Sequence, residues 1–359
     1  MKIVVFVFVL MMFSVLSFAQ TMAELNPDFE NLLTAAMRPH NRTANEYVTN
    51  IKPLVLFHFS DIHGDKTELQ RYTEFLGQYG KYFDDAVCTG DVVEGAVNSG
   101  FDYWGEVPGA EKILFIIGNH DFLRKWEGWD WNDRLSKKEL YDFYFSKYIK
   151  NWNVTYTEGN TYYYKDYDEK KFRLIGLDCS LRGDEDAGQL SWFKDVLKGA
   201  KEKDYFVLVA YHYGPDSPSA SPEQIKCNFT EVDHKGIYEG YQDDTTPYYQ
   251  AVEDFKADGG KFVMWLCGHT HWEQFCYSKD FPTQLNYCID ATNRYQSMMY
   301  GNMTRKDGTR SQDLANAMVV DTTTDTIKII RIGANVNSYL TQRNGITINY
   351  KTFEVISEF

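Results

Sequence analysis

Five short motifs rich in histidine and carboxylate residues lie along the chain, and each follows an apolar run. The motifs are Ser60-Asp61-Ile62-His63-Gly64-Asp65, Thr89-Gly90-Asp91, Gly118-Asn119-His120-Asp121, Tyr211-His212-Tyr213 and Gly268-His269-Thr270-His271. Imidazole, carboxylate and amide groups bind divalent cations, and this set is large enough to hold two of them. Two neighbouring cations would favour hydrolytic chemistry at phosphorus.

The apolar runs that precede these motifs are short and rich in β-branched and aromatic residues. They are Leu54–Phe59, Ala86–Cys88, Ile113–Ile117, Phe206–Ala210 and Phe262–Cys267. Because glycine or polar residues bound each run, the pattern predicts five buried strands. Ligands of open α/β sheets bind outside the carboxyl ends of the strands. We therefore expect one site to which five strand ends contribute.

The spacing within two motifs would allow a pair of side chains to bind the same cation. Asp61 and His63 are two residues apart, as are His269 and His271. In an extended backbone, residues i and i+2 point to the same side, so each pair could face one cation. Asp91 follows a glycine in an expected strand-to-helix turn, where its carboxylate could bridge two cations. Each motif alone is a weak signal, but five in one chain indicate a metal site.

Composition and charge limit the kinds of protein that this chain can be. It has 359 residues, of which 43% are hydrophobic, enough for one large or two ordinary domains with a real core. The formal net charge of -14 disfavours binding of nucleic-acid polymers, which need a basic surface. A small phosphorylated substrate stays compatible with this charge, because bound cations can reverse the local field.

The N-terminus has the pattern of a targeting segment. Lys2 supplies a positive charge, Ile3–Leu16 is apolar, and Ser17-Phe18-Ala19 offers small residues for cleavage near Ala19. We therefore predict a signal peptide at residues 1–19 and a secreted, periplasmic or otherwise extracytoplasmic protein. A membrane anchor is the alternative, but the apolar run is shorter than a usual membrane span. No stable membrane span is expected after removal of the leader.

The remaining chain divides into three predicted parts. Residues 20–50 are polar with a Leu and Ala pattern, which predicts a helical extension. Residues 51–335 contain all five motifs and are expected to form the main domain. Residues 336–359 are predicted to form a β segment packed on that domain, with its strands within Ile346–Ile356.

Between the motifs, the main domain has further predicted elements. The helices are at Lys66–Tyr79, Ser136–Lys150 and Gln189–Leu197, and the hairpin strands are at Thr161–Tyr167, Phe172–Cys179, Met318–Asp321 and Thr326–Ile332. Ser136 and Glu139 form the pattern of a capping box at the start of the second helix. Gly214–Thr246 is predicted to be a long loop, and loops of this length are usually functional or mobile.

Six cysteines in an exported chain raise the question of disulfides. Two predicted strands, Trp272–Tyr277 and Leu285–Asp290, would form a hairpin symmetric about Pro282. This register would set Cys276 opposite Cys288, and we predict that they form a disulfide. No partner is predicted for the other cysteines, which are Cys88, Cys179, Cys227 and Cys267.

The motifs Asp-x-His, Gly-Asp, Gly-Asn-His-Asp, a lone His and Gly-His-x-His occur here in this order. In this respect the chain resembles the calcineurin-like metallophosphoesterase superfamily, from about Val55 to His271. The resemblance implies an α/β fold, a four-layer α/β/β/α sandwich of two mixed central sheets flanked by helices. It also implies a site at one edge of the two sheets.

The resemblance implies a role for each residue of the motifs. A first metal would be held by Asp61, His63 and His271, a second by Asn119, His212 and His269, and Asp91 would bridge the two. His120 would contact the substrate phosphate and protonate the leaving oxygen. Asp121 could orient that imidazole or cap the following turn, and the sequence leaves both open.

The expected cofactors are two divalent metal ions, and nitrogen and oxygen ligands suit Mn, Fe, Zn, Co or Ni. Purple acid phosphatases are relatives within this superfamily, and they have a metal-bound tyrosine three residues after the bridging aspartate. Glu94 occupies that position here. A ferric–tyrosinate centre is therefore not expected in this chain.

The predicted function is that of an exported, metal-dependent phosphoric-ester hydrolase acting on a phosphomonoester or a small phosphodiester. Two cations about 3.5–4 Å apart would activate a bridging water or hydroxide for in-line attack on phosphorus. His120 would assist the leaving group. A nucleotide pyrophosphatase and a non-catalytic, metal-containing binding or surface module are the alternatives. His58, inside the first apolar run, is predicted to be a core residue rather than a ligand.

Overall fold

The structure is a computed structural model of the chain. It describes residues 20–38, 52–96, 100–125, 133–214, 225–227, 246–269, 271, 274–278, 281–289, 306–333 and 344–358. The predicted signal peptide at residues 1–19 lies outside the described residues, as does most of the predicted loop Gly214–Thr246. The predicted part boundaries at 50/51 and 335/336 lie outside them too.

Strands form where the sequence is apolar and β-branched. Within the described residues they are β1 (Leu54–Phe59), β2 (Asp85–Cys88), β3 (Leu114–Phe115), β4 (Thr155–Tyr156), β5 (Tyr163–Tyr167), β6 (Phe172–Gly176), β7 (Phe206–Ala210), β8 (Ile225–Cys227), β9 (Lys261–Cys267), β10 (Gln274–Ser278), β11 (Asn286–Cys288), β12 (Leu314–Asp321), β13 (Thr326–Gly333), β14 (Gly345–Asn349) and β15 (Val355–Glu358). Each of the five apolar runs that precede a motif overlaps one of these strands, as predicted.

Helices alternate with the strands along the chain. Within the described residues the α-helices are α1 (Met22–Leu25), α2 (Phe29–Met37), α3 (Lys66–Tyr79), α4 (Asp102–Glu106), α5 (Asn119–Phe122), α6 (Lys137–Leu140), α7 (Gly183–Glu202) and α8 (Thr246–Ala257). None of the helices in this part of the chain is long and apolar enough to cross a membrane.

The strands form two mixed sheets. The first sheet has the order β15-β14-β13-β12-β1-β2-β3, and the second has the order β4-β5-β6-β7-β9-β11-β10-β8. In the first sheet, β1, β2 and β3 run parallel, and β12 pairs antiparallel with β1. In the second sheet, β6, β7, β9 and β11 run parallel. The parallel strands in each sheet bring several carboxyl ends to one edge.

Alternate residues of β1 face opposite sides of the first sheet. On one side, the ring of Phe57 lies 5.8 Å from that of Tyr72 in α3. On the other side, the ring of His58 lies 5.7 Å from that of Tyr287 in the second sheet. The strand is therefore buried on both faces, between a helix and the other sheet, as its apolar sequence predicts.

Helices cover the outer faces of both sheets. α1 and α2 contact β13, and α2 also contacts β12. On the second sheet, α7 contacts β7 and α8 contacts β9. Phe29 of α2 packs edge to face on Phe75 of α3, with ring centroids 4.9 Å apart. The arrangement is helix, sheet, sheet, helix, which confirms the predicted four-layer α/β/β/α sandwich.

Several elements differ from the prediction in length or type. The capping box of Ser136 and Glu139 is present, but the α-helix ends at Leu140 and continues as a π-helical turn, Tyr141–Phe145. α7 begins at Gly183, before the predicted start of that helix. α8 was not predicted. Its buried residues include Tyr248 and Tyr249, and aromatic residues of this kind do not distinguish a helix from a packed loop.

The predicted pairing of Cys276 with Cys288 is wrong. β10 and β11 form the predicted antiparallel pair, but Cys276 lies opposite Asn286, and Cys288 lies opposite Gln274. The cause is long-range, because β11 also pairs with β9 and lies there with Cys288 opposite Cys267. Cys288 is buried and is not part of a disulfide.

The observed register predicts the state of the cysteines. We expect Cys288 to be alkylated when the protein is denatured and treated with iodoacetamide without a reductant. Cys276 lies opposite Cys227 in the antiparallel pair of β10 and β8, and not opposite Cys288. Peptide mass spectrometry of reduced and non-reduced samples tests this. A peptide linking Cys276 to Cys288 would contradict the register.

Candidate metal centre

The five motifs meet at one edge of the two sheets. Those after β1, β2 and β3 belong to the first sheet, and those after β7 and β9 belong to the second. All the predicted ligands are buried, and they are Asp61, His63, Asp91, Asn119, His212, His269 and His271. Burial of so many polar side chains at one point requires that they satisfy one another or bind an ion.

One cluster at this edge contains the residues predicted for the first metal. The possible ligand atoms of Asp61, His63, Asp91 and His271 all lie within 4.8 Å of one another. His271 Nε2 is 3.2 Å from Asp61 Oδ1 and 3.3 Å from His63 Nε2. Two imidazole nitrogens and a carboxylate oxygen therefore converge on one point.

A second cluster contains the residues predicted for the second metal. The possible ligand atoms of Asp91, His212 and His269 also lie within 4.8 Å of one another. Asn119 Oδ1 is 2.9 Å from His212 Nε2 and 2.7 Å from His269 Nδ1. Asp91 Oδ2 is 3.3 Å from His212 Nε2. Asp91 belongs to both clusters, which is the arrangement that a bridging carboxylate needs.

The backbone conformation that brings the ligand side chains together differs from the predicted one. The expected extended i, i+2 pairs are wrong, because β1 ends at Phe59 and the ligand residues after it have a left-handed backbone. The non-glycine residues with positive φ in the site are Asp61 (54°), His63 (47°), Asp91 (51°), His269 (69°) and His271 (52°). This conformation costs about 1–3 kcal/mol at each non-glycine residue, so the surrounding contacts must impose it.

Hydrogen bonds between the motifs hold this backbone. The N–H of Asp61 donates to the Gly90 carbonyl at 3.0 Å, and the N–H of His63 donates to the Asp91 carbonyl at 2.9 Å. The carboxylate of Asp61 accepts the N–H of His269, which belongs to the second sheet, at 3.1 Å. The two sheets are therefore joined through the site itself.

Asp91 and Asp121 join the motifs that follow β2 and β3. Asp91 Oδ1 accepts the backbone N–H of His120 at 2.8 Å. Asp121 accepts the N–H of Gly118 at 2.8 Å and that of Val93 at 3.0 Å. Of the two roles left open for Asp121, these contacts match the capping of the turn at the start of α5.

A chain of hydrogen bonds orients His212. Its Nδ1–H donates to the carbonyl of Thr89 at 2.7 Å, which leaves Nε2 facing Asn119 and Asp91. The hydroxyl of Thr89 lies 3.1 Å from Nε2 of His58. Burial lowers the pKa of His58 to about 3, so this histidine is neutral. Its place inside β1 agrees with the prediction of a core residue.

Glu94 is close to two histidines, and the sequence analysis assigned it no role in the site. Its Oε2 lies 2.5 Å from His63 Nδ1 and 3.6 Å from His120 Nδ1. The Glu94 side chain is 23% exposed, whereas those of His63 and His120 are buried. The sequence does contain a feature that could have indicated this role. Glu94 is a carboxylate three residues after the proposed metal ligand Asp91.

Charge within the cluster divides the histidines into two groups. Burial would lower the pKa of His212, but Asp91 and Asp61 overcome it and raise the pKa to about 9. Burial opposes a charge on His63 as well, but Glu94 and Asp91 raise its pKa. Burial and neighbouring imidazoles lower the pKa of His120 and His269 well below the usual value. Cations bound here would displace protons from the first group.

The residues present fit two divalent cations. The donors are imidazole nitrogens and carboxylate or amide oxygens, which suit first-row transition metals. Asp91 Oδ2 is buried and has no well-aligned hydrogen bond within the described part of the chain, although His212 Nε2 lies 3.3 Å from it. An ion at this position would supply the missing partner.

Comparison with known proteins identifies the family. The family model of the calcineurin-like phosphoesterases matches residues 54–273, and this chain belongs to that family. The match begins at β1 and ends just after His271, so it spans all five motifs. It confirms the expected class of enzyme, a binuclear metallophosphoesterase. A comparison with curated protein sequences finds no significant match.

Solved structures with the same fold include two phosphatases. A dimetal phosphatase from Danio rerio is 13% identical, with a TM-score of 0.51 over 83% of this chain and 99% of that one. A purple acid phosphatase from yellow lupin (Lupinus luteus) seeds is also 13% identical, with a TM-score of 0.51 over 83% of this chain and 54% of that one. At such identities these likenesses concern the fold alone.

Gly118 offers a test of how tightly the motifs pack. A Cβ at this position would overlap the backbone nitrogen and Oδ1 of Asp91. We expect Gly118→Ala to lower the free energy of unfolding by about 1–3 kcal/mol through overpacking, and to weaken metal binding by displacing Asp91. Thermal unfolding and the bound metal content per chain measure the two effects.

Gly77 in α3 supplies the matched control. A Cβ there has nothing within 4 Å, so Gly77→Ala should leave metal binding unchanged and raise stability by up to about 1 kcal/mol. If Gly118→Ala unfolds and binds metal like the wild type, Asp91 is not confined in the way that the structure indicates.

Proposed function

We propose that this protein is an exported, metal-dependent phosphoric-ester hydrolase that cleaves phosphomonoesters or small phosphodiesters. The observation that carries the proposal is the position of Asp91, whose carboxylate belongs to both ligand clusters. One carboxylate shared by two clusters is what a pair of neighbouring cations requires. Export rests on the targeting pattern of residues 1–19.

The proposed ligands follow the two clusters. The first cation would be held by Asp61, His63 and His271, the second by Asn119, His212 and His269, and Asp91 would contact both. Bound there, two cations would supply the positive charge that acidifies a water molecule and stabilises phosphoryl oxygens. Mn, Fe, Zn, Co and Ni all suit these donors.

His120 is the proposed donor of a proton to the leaving oxygen. Its backbone N–H donates to Asp91 Oδ1, and its Nε2 lies 3.8 Å from Asp91 Oδ2. The ring is therefore held beside the point where both clusters meet. Burial and neighbouring imidazoles favour its neutral form, but an anionic phosphoryl group bound next to the ring would favour the protonated form.

The proposed substrate is small. The net charge of -14 disfavours a nucleic-acid polymer, and the buried site suits a single phosphoryl group. A non-catalytic binding module on this scaffold would not need His120. The presence of this residue together with all seven proposed ligands supports catalysis.

Metal removal and restoration test the proposed function. The full chain is stripped with a chelator, and Mn²⁺, Zn²⁺, Co²⁺ or Ni²⁺ is added back. Hydrolysis of p-nitrophenyl phosphate, bis-p-nitrophenyl phosphate and a nucleotide pyrophosphate is then followed. We expect turnover to vanish on stripping and to return with metal on one of the first two substrates. Metal-restored turnover of the pyrophosphate alone would favour the alternative function, a nucleotide pyrophosphatase. If the protein binds two ions but hydrolyses none of the three substrates, the proposal is contradicted.

His120→Ala separates catalysis from metal binding. Loss of a general acid typically costs about 10²–10⁴-fold in rate, and we expect kcat to fall by that amount. Both metal ions should remain bound, because the imidazole is not among the proposed ligands. The fall should be larger for esters with a poor leaving group, which needs the proton more. An unchanged kcat on every ester would refute the role of His120.

A further inference from the structure

His63 presents its two ring nitrogens to different partners. Its Nε2 lies 3.3 Å from His271 Nε2 and 3.9 Å from Asp61 Oδ1, within the first cluster. Its Nδ1 lies 2.5 Å from Glu94 Oε2, on the other side of the ring. Because the two nitrogens are on different edges of the imidazole, one can face a cation while the other faces Glu94.

An imidazole that binds a cation through Nε2 carries its proton on Nδ1. The group that accepts this N–H selects the tautomer and fixes the plane of the ring. A carboxylate is the strongest acceptor among side chains for such a proton. Glu94 is the carboxylate that occupies this position beside His63.

We propose that Glu94 is a positioning residue of the first metal site. With a cation bound, Glu94 would accept the Nδ1–H of His63, which it contacts at 2.5 Å without the alignment of a formed hydrogen bond, and would thereby hold Nε2 toward that cation, an inference that rests on the proposed function. The same oxygen lies 3.6 Å from His120 Nδ1, and the rings of His63 and His120 meet edge to face with centroids 4.5 Å apart. Glu94 therefore lies beside both the proposed ligand and the ring packed against it.

Direct coordination by Glu94 is the competing role. The possible ligand atoms of His63, Glu94 and His120 also lie within 4.8 Å of one another, so a cation could in principle bind there. Such a cation would use His63 Nδ1 instead of Nε2, which already faces Asp61 and His271. The two roles differ in the number of ions bound at saturation and in the effect of an amide at this position.

The experiment compares Glu94→Gln, Glu94→Ala and a matched control, all in the full chain. Glu169→Gln is the control, since Glu169 is exposed in the turn between β5 and β6, at the amino end of β6 and away from the site. Each metal-stripped variant is titrated with Zn²⁺ against a chromophoric chelator, which reports the affinity and number of sites without any substrate. Thermal unfolding of the metal-free variants checks that the fold is intact.

The expected result is selective loss of affinity. Glu94→Gln should weaken one of the two sites by about 10-fold, and Glu94→Ala by up to about 100-fold, because the glutamine oxygen can still accept the N–H of His63. The other site, the control variant and the saturating stoichiometry of two ions should not change. At saturating Zn²⁺, Glu94→Gln should recover most of its kcat.

Two results would overturn the inference. Wild-type affinity at both sites in Glu94→Ala would show that Glu94 does not position His63. A fall in stoichiometry that is equal for the glutamine and alanine variants would make Glu94 a ligand instead. If the wild type binds two ions but hydrolyses nothing, the proposed function fails, while the affinities still decide the role of Glu94.

Discussion

The site depends on one buried carboxylate. Asp91 is 1% exposed, and a buried charge is costly unless neighbouring groups compensate it. One oxygen accepts the N–H of His120, and the other faces His212 from the second sheet. The main chain must approach closely for these contacts, and Gly118 leaves the necessary space. Contacts with Asp91 therefore hold the motifs after β2, β3 and β7 in place.

The same constraint explains why the candidate ligands are far apart in sequence. A fold with two sheets brings five strand ends to one edge, and Asp61 then joins the sheets by accepting the N–H of His269. The left-handed backbone of Asp61 and His269 is unfavourable locally and is held by these long-range contacts. Stability and chemistry are coupled here, because the groups that hold the loops are also the groups that would hold the ions.

The parts of this structure that are local in sequence were predictable. β1 and β7 occupy the predicted ranges, and the motifs after them carry the side chains that meet at the site. Features that depend on contacts between distant segments could not be predicted from the sequence. The register of β10 and β11 depends on the pairing of β11 with β9, and the role of Glu94 depends on where the ring of His63 lies. Periodicity and motif spacing contain no information about such contacts.

The most direct test of the central claim is anomalous diffraction from crystals of the full chain loaded with Mn²⁺ or Zn²⁺. The account predicts two peaks about 3.5–4 Å apart, with the Asp91 carboxylate in contact with both. One ion should contact His63 and the other His212. A single ion, or two ions of which neither contacts Asp91, would contradict the account.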